Sequence, residues 1–134
     1  MALQYSVTHR TNAMTDIATQ AGTNATVKIF TGSPPASCGT ADTGTLLCTF
    51  AGNASQFGTA SSGVLTVSAI AAATAGNTGT AGYWRVYPSS ATTTNAVAQG
   101  LCGTAGSDMN LSSTAISSGQ TITITSWTIT AFGV

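Results

Sequence analysis

Few side chains in this sequence could carry out acid–base or nucleophilic chemistry. The acidic residues are three aspartates, Asp16, Asp42 and Asp108, and His9 is the single histidine. Each aspartate is explained by a helix position or by a turn, where its side chain bonds the nearby backbone. His9 has no carboxylate near it in sequence. Because no pair of residues could divide the roles of acid and base, we do not expect an enzyme.

Motifs for nucleophilic catalysis, phosphate binding and metal binding are also missing. The serines lack GxSxG and SxxK contexts, and the glycine-rich stretch 76–82 (GNTGTAG) lacks the GK[ST] ending of a phosphate-binding loop. Cys38, Cys48 and Cys102 are an odd number without CxxC spacing, which favours free thiols, although Cys38 and Cys48 could staple a hairpin. These residues form no ligand cluster, so we expect neither a metal nor a cofactor.

The most aromatic segment, YWRVYP at 83–88, has two interpretations. In an alternating strand, Trp84 and Val86 point to one side, and Tyr83, Arg85 and Tyr87 point to the other. In the first interpretation, Trp84 and Val86 fill the core, and the other three side chains lie on a solvated outer face. In the second, the outer three form a contact patch, since Tyr and Arg are enriched at interface hot spots. We therefore take Tyr83, Arg85 and Tyr87 as a candidate interface.

The scarcity of charge limits the possible partners. Of 134 residues, three are Lys or Arg and three are Asp, and the net charge is zero, whereas typical domains carry about a quarter charged residues. Three scattered cations cannot form the stripe that nucleic-acid binding requires. No apolar run approaches the ~20 residues needed to span a bilayer. The N-terminus shows no secretory signal, so we expect synthesis in a cytoplasm.

One stretch, residues 10–20, has helical periodicity. Its apolar side chains recur at a spacing that forms a stripe along a helix, namely Ala13, Met14, Ile17 and Ala18. Thr11 or Asn12 is the predicted N-cap, and Gly22 is the predicted stop. Residues 1–10 are expected to form a polar arm that becomes ordered on docking. His9 and Arg10, at the end of that arm, join the candidate interface.

After Gly22 the pattern predicts short strands separated by turn residues. The predicted strands cover 25–32, 45–52, 64–70, 83–88, 95–103 and 121–132, with shorter ones near Phe57 and within 106–113. Seven or eight strands at this spacing indicate an all-β fold, a β-sandwich and most simply a jelly roll, in a single domain over 11–134. The candidate core residues are Val27, Ile29, Leu46, Phe50, Trp84, Val86, Ile122, Ile124, Trp127 and Ile129.

The segment 121–132 (TITITSWTITAF) changes the phase of its alternation. Ile122 and Ile124 share one parity, and Trp127 and Ile129 share the other. One extra residue around Thr125–Ser126, a β-bulge, would exchange the two faces, as strands do when they pass from one sheet of a sandwich to another. The alternative is a strand buried on both faces at one end. We favour the bulge.

Several segments together resemble a known group of proteins. They are NAMTDIATQAG (12–22), IFTGSPPA (29–36), TGTLLCTF (43–50), TAGYWRVY (80–87) and GSDMNLSSTAISSGQTITITSWTIT (106–130). In this order they resemble the small virion proteins of tailed bacteriophages and prophages. The chain is similar in size and character to the capsid cement, or head-decoration, proteins of these phages, which adopt jelly-roll folds.

The resemblance implies a structural role on the outer surface of the phage head. A cement protein is made in the host cytoplasm and binds across neighbouring subunits of the major capsid protein, which it holds together. It would also associate with itself, as a homodimer or else as a trimer. The alternative is a tail-associated or adhesin-like virion module that binds host surface glycan, which would need a concave aromatic site with amides nearby.

Overall fold

The computed structural model describes residues 3–68, 70–89 and 96–132. One helix, α1 (Val7–Ala21), precedes ten strands. They are β1 (Thr26–Thr31), β2 (Leu46–Ala51), β3 (Val64–Thr66), β4 (Ala73–Thr74), β5 (Gly79–Tyr87), β6 (Ala98–Gly103), β7 (Met109–Leu111), β8 (Ala115–Ile116), β9 (Thr121–Ile122) and β10 (Ile124–Thr130). The prediction of an all-β fold with one short helix is confirmed. Positions 69 and 95 of the predicted strands lie outside the described residues.

Helix α1 begins earlier than the sequence predicts. Ser6 is its N-cap, and the Ser6 hydroxyl accepts a hydrogen bond from the His9 amide at 3.1 Å. The choice of Thr11 or Asn12 as N-cap is therefore wrong, because Ser6 supplies the same bond about one and a half turns earlier. The predicted stop is confirmed: Gly22 has φ +69° and donates its N–H to the Ala18 carbonyl. The helix includes His9 and Arg10, and residues 1–2 of the predicted arm lie outside the described residues.

The strands form one large sheet and one small one. The large sheet has the order β2-β1-β5-β6-β7-β10-β3, with β8 beside β5, and the small sheet pairs β4 with β9. All pairs are antiparallel except β6 with β7, which is parallel. In the β1–β5 register, Val27 lies opposite Val86 and Ile29 opposite Trp84, which puts a continuous apolar row on one face.

The large sheet curls so that its inner face encloses the core. The indole rings of Trp84 on β5 and Trp127 on β10 meet edge to face, with centroids 5.0 Å apart. These strands are three positions apart in the sheet, and three strand spacings of about 4.8 Å would separate them by roughly 14 Å in a flat sheet. The contact between the rings therefore requires a curled sheet.

Most of the predicted core is confirmed. Seven of the ten candidates are buried, namely Val27, Ile29, Phe50, Trp84, Val86, Ile122 and Trp127. Two more, Ile124 and Ile129, are half-buried and pack against them. The prediction that Leu46 belongs to the core is wrong, since Leu46 is 37 % exposed. The β1–β2 register shifts between Ile29 and Phe30, and this shift buries Leu47 and Cys48 in succession.

The predicted bulge in the segment 121–132 is confirmed. Ile124 pairs with Leu111 while Ser126 pairs with Asn110, which leaves Thr125 as the extra residue on β10. The Thr125 hydroxyl donates to the Asn110 carbonyl at 3.1 Å. β9 ends at Ile122 in the small sheet, and β10 belongs to the large sheet from Ile124, one residue before the bulge. The chain thus passes between sheets at Thr123, next to the point where its alternation changes phase.

Candidate functional site

The outer face of β5 is covered by the long connection between β1 and β2. We call residues 32–44 of this connection the covering loop. Its base is closed by two hydrogen bonds: the Thr31 amide donates to the Thr45 carbonyl at 3.0 Å, and the Thr45 amide donates to the Thr31 hydroxyl at 2.9 Å. From this closed base the loop folds back over the sheet.

Arg85 lies beneath the covering loop and is completely buried. Its Nη1 donates to the Asp42 carboxylate at 2.6 Å and to the Thr40 carbonyl at 2.9 Å. Its Nη2 donates to the Cys38 carbonyl at 2.7 Å and to the Ser37 carbonyl at 3.3 Å. One guanidinium therefore collects three backbone carbonyls and a carboxylate from a single loop.

Two tyrosines flank Arg85 on the same face and also bond the covering loop. The Tyr83 hydroxyl donates to the Thr43 carbonyl at 2.5 Å and accepts from the Thr43 amide at 3.1 Å. The Tyr87 hydroxyl donates to the Asp42 carboxylate. Burial raises the pKa of Tyr87, and the bond to Asp42 raises that pKa further. The Tyr87 phenol therefore stays protonated, and both hydroxyls act as hydrogen-bond donors to the loop.

The prediction of an exposed contact patch on this face is wrong. Tyr83, Arg85 and Tyr87 do lie together, opposite the core-facing Trp84 and Val86, but all three are buried. The other interpretation, in which these three side chains lie on a solvated outer face, is wrong for the same reason. Alternation indicates which side chains share a face, but it does not reveal that the proline-containing loop folds over that face.

His9 and Arg10 lie elsewhere, on helix α1, which packs against β3. His9 is exposed, and its ring stacks on Tyr5 with centroids 4.7 Å apart. With Ala13, Met14, Ala131 and Phe132, these residues line a shallow pocket of about 180 Å³. Four exposed apolar side chains belong to the segments beside this pocket; we call them the terminal patch, and they are Leu3, Tyr5, Val7 and Phe132.

The buried ion pair leaves little charge on the surface. Arg85 is fully buried, and Asp42 is half-buried and bonded to both Arg85 and Tyr87. All six charged residues lie in the described part of the chain, and Asp16 and Asp108 are the two that are exposed. Within the described ranges no three potential metal ligands cluster. Nor is any helix in those ranges long and apolar enough to cross a membrane.

A second pocket, of about 330 Å³, lies between α1, the covering loop and strands β5, β6 and β10. Its polar lining comes from Cys38, Trp84, Gln99, Asp108 and Thr130, and its apolar lining includes Phe132. Gln99 donates from Nε2 to the Pro35 carbonyl at 2.7 Å, which ties the pocket wall to the covering loop. Sequence reasoning missed this pocket, because its residues come from six separate parts of the chain and no motif links them.

One thiol lies close to the acidic wall of this pocket. Cys102 follows Gln99 on β6, and burial raises the pKa of Cys102 to about 12, with a further contribution from the Asp108 charge. A thiol with this pKa is almost entirely protonated at neutral pH and is a poor nucleophile. Cys102 therefore contributes to packing rather than to reactivity.

No family of proteins, no curated protein and no solved structure matches this chain.

Proposed function

We propose that this chain is a capsid cement protein of a tailed phage. In this role it binds across neighbouring major capsid protein subunits on the outer surface of the head and stabilises the shell. The identity of the partner rests on the resemblance of the segments quoted above. The jelly-roll arrangement of that family, and a dimer or else a trimer as the assembled unit, stay predictions here.

The observation that carries the proposal is the nearly uncharged surface. A cement protein is present in many copies, close together, on a closed lattice. Two exposed charged residues in the whole chain, Asp16 and Asp108, give neighbouring copies almost no mutual repulsion. The buried Arg85–Asp42 pair contributes to this low surface charge, since it removes one charge of each sign from the surface.

The terminal patch supplies the surface for binding. Exposed apolar side chains that lie close together mark sites of protein association more often than isolated ones do. In the terminal patch, Phe132 is 90 % exposed, and Val7 is 52 % exposed on the first turn of α1. The candidate interface therefore moves away from the buried Tyr83, Arg85 and Tyr87, and it keeps His9 and Arg10, which border the terminal patch.

The test is cryo-electron microscopy of virions that carry the tagged protein. Regular density at equivalent positions of the head lattice is the expected result. Density confined to the tail would contradict the proposal and would favour a tail-associated, adhesin-like module.

A matched pair of variants tests the role of the terminal patch in binding. Val7→Ser should weaken binding to assembled capsids, whereas Leu101→Ser should not, although Leu101 is similarly exposed at 54 %. Co-sedimentation with particles that lack the protein measures both. Equal binding by the two variants would show that the terminal patch is not the contact surface.

A further inference from the structure

The shallow pocket between α1 and the C-terminal segment has the size of a side-chain site. We call this pocket, of about 180 Å³, the terminal pocket. Sites for free small molecules usually enclose about 300–1,000 Å³. Of the residues that line the terminal pocket, Met14 and Ala131 are buried, whereas Tyr5 and Phe132 are exposed. A pocket of this size and lining fits one or two side chains of another protein.

Arg10 gives the terminal pocket a positive charge that has no counter-ion in the described part of the chain. The ion pair found there joins Arg85 to Asp42. The Arg10 backbone N–H donates to the Ser6 carbonyl, but the Arg10 guanidinium bonds no described residue. Arg10 is half-buried, and its Nε atom is fully buried. A cation that has lost part of its hydration without gaining a counter-ion is unfavourable, so a carboxylate placed here would stabilise it.

The terminal nitrogens of Arg10 are accessible to a partner. Nε is the nitrogen of this side chain that is both buried and unbonded among the described residues, so the equally unbonded Nη1 and Nη2 keep accessible surface. The neighbouring Thr11 hydroxyl accepts a hydrogen bond from the Gly63 amide at 3.0 Å, which fixes this turn of α1 in place. Gly63 also leaves room for the Arg10 side chain, since a Cβ atom there would lie 3.0 Å from Arg10 Cβ. The guanidinium is therefore carried by a fixed backbone.

The other lining groups favour an anion with an apolar neighbour. No carboxylate belongs to the described lining of the terminal pocket, whereas His9 lies next to Arg10 and can donate a hydrogen bond. The His9 ring stacks on Tyr5, with centroids 4.7 Å apart. The Phe132 ring, which is 90 % exposed, adds an apolar surface to the same pocket. A ligand that matches these groups carries a negative charge beside an apolar group.

We propose that the terminal pocket receives an acidic side chain of the partner protein, next to an apolar residue of the same segment. The carboxylate accepts from Nη1 and Nη2 of Arg10 in the two-pronged geometry that suits a guanidinium, and the apolar residue packs on Phe132. The identity of the partner rests on the proposed function, in which the acidic segment belongs to the major capsid protein. A single half-buried ion pair is only weakly screened by salt.

The first test asks whether the terminal pocket recognises a carboxylate in the absence of any partner protein. The full chain is titrated with benzoate and with benzamide, its neutral isostere, and the NMR signals of the Arg10 side chain and of the Met14 methyl group report binding. We expect saturable binding of benzoate with a dissociation constant on the order of millimolar. Benzamide should bind about tenfold more weakly, and Arg10→Gln should bind both compounds equally weakly.

The second test is co-sedimentation with assembled capsids that lack the protein. Arg10→Gln should weaken binding about tenfold, because it removes the cation of a charge-assisted pair. Arg10→Lys keeps the charge but not the two-pronged geometry, so it should restore binding in part. Lys28→Gln is the matched control: it removes one positive charge from a half-buried residue beside Tyr87, outside the terminal pocket, and it should bind as the parent does. Unfolding midpoints of the variants should stay close to that of the parent.

Three results would overturn the inference. Equal binding of benzoate and benzamide would show that Arg10 does not recognise a carboxylate. Benzoate binding that Arg10→Gln leaves unchanged would place the anion elsewhere. Equal capsid binding by Arg10→Gln and Lys28→Gln would show that no acidic side chain docks in the terminal pocket. Failure of the parent chain itself to sediment with capsids would instead contradict the proposed function, and the benzoate titration separates the two cases because it contains no capsid.

Discussion

Arg85 holds the covering loop in place from below. Its two terminal nitrogens bond four loop oxygens, and the Asp42 carboxylate supplies the only formal negative charge among them. The Lys28 ammonium group lies 4.7 Å from the centroid of the neighbouring Tyr87 ring, a cation–π geometry. Removing the charge of Asp42 would leave Arg85 buried among neutral carbonyls, which is far less favourable than a paired ion.

The first prediction concerns this ion pair. Asp42→Ala should lower the free energy of unfolding by about 3–5 kcal/mol, because it leaves a buried guanidinium without its counter-ion. The control Asp16→Ala, at an exposed aspartate, should change it by less than about 0.5 kcal/mol. Urea denaturation followed by circular dichroism measures both. Similar small effects for the two variants would show that solvent reaches Arg85.

The second prediction is a loss of stability at alkaline pH. Burial raises the pKa values of Tyr87 and Cys48, and it raises that of Cys102 to about 12. The unfolded chain releases these protons near the ordinary values of about 8.5 for Cys and 10 for Tyr. Above those values the folded state holds more protons than the unfolded state, so the stability present at neutral pH falls as pH rises.

Urea denaturation at pH 7 and at pH 10.5 tests this second prediction. The loss between the two pH values should be smaller in Tyr87→Phe than in the parent chain. Tyr5→Phe, which alters an exposed tyrosine, should show the same loss as the parent. Stability that stays constant over this interval would contradict the assignment of these groups as buried acids.

At the scale of elements, the covering loop depends on close approach between backbone segments. Gly82 on β5 has no room for a side chain, since a Cβ atom there would lie 1.8 Å from the Gly32 carbonyl oxygen. Gly44, at the end of the loop, has φ +73°, a conformation that favours glycine. Two glycines thus permit the loop to leave β1 and to return above β5.

The third prediction follows from this approach. Gly82→Ala should destabilise the fold by roughly 3 kcal/mol, the upper end of the range for overpacking, because the obstacle is backbone. Gly76→Ala is the matched control, since nothing lies within 4 Å of a Cβ atom there. Thermal unfolding of both variants measures the difference. A neutral Gly82→Ala would mean that the loop can shift without loss.

The fourth prediction concerns the contact that closes the curled sheet. Trp84→Ala and Trp127→Ala should each cost roughly 3–5 kcal/mol as truncations in the core. Phe132→Ala, which truncates an exposed aromatic ring, should cost less than about 0.5 kcal/mol. Chemical denaturation measures all three. Near-neutral effects at the tryptophans would show that the two ends of the sheet are held by other contacts.

Alternation in the sequence was sufficient to predict β1 and the bulge around Thr125–Ser126, because each has a local period. It could not predict β4 and β8, since two-residue strands are too short to show a period. Alternation could not predict the position of the covering loop either, because Arg85 contacts loop residues that are 43 to 48 positions away in the sequence. The 330 Å³ pocket likewise joins Trp84 to Asp108 and Phe132, whose proximity arises only after the sheet curls.

At the scale of the whole molecule, one ion pair lies inside the fold and few charged residues are left for the surface. The Arg85–Asp42 pair is internal, and serine and threonine supply much of the exposed polar surface, as on β10, where Thr125, Ser126 and Thr128 are exposed. Such a surface is hydrated through hydrogen bonds and not through ions. Its interactions with other molecules should therefore depend little on ionic strength.

The fifth prediction applies this to the proposed partner. Binding to assembled capsids should change by less than about threefold between low and high salt, because few exposed charges are available to be screened. Co-sedimentation at several sodium chloride concentrations measures the dependence, with a basic DNA-binding protein and DNA as the salt-sensitive reference. A steep decline with salt would contradict a contact formed by neutral and apolar groups.

The position of β10 in the sheet has a consequence for the order of folding. β10 is the last described strand to leave the ribosome, yet it lies between β7 and β3, inside the sheet. Its partner Val64 precedes Thr130 by 66 positions, so this pairing closes a long loop of chain. Until β10 emerges, β3 and β7 keep unpaired edges and Trp84 lacks its aromatic partner. Completion of the fold therefore waits for β10 to emerge, and it proceeds at the slow rates typical of non-local β-pairing.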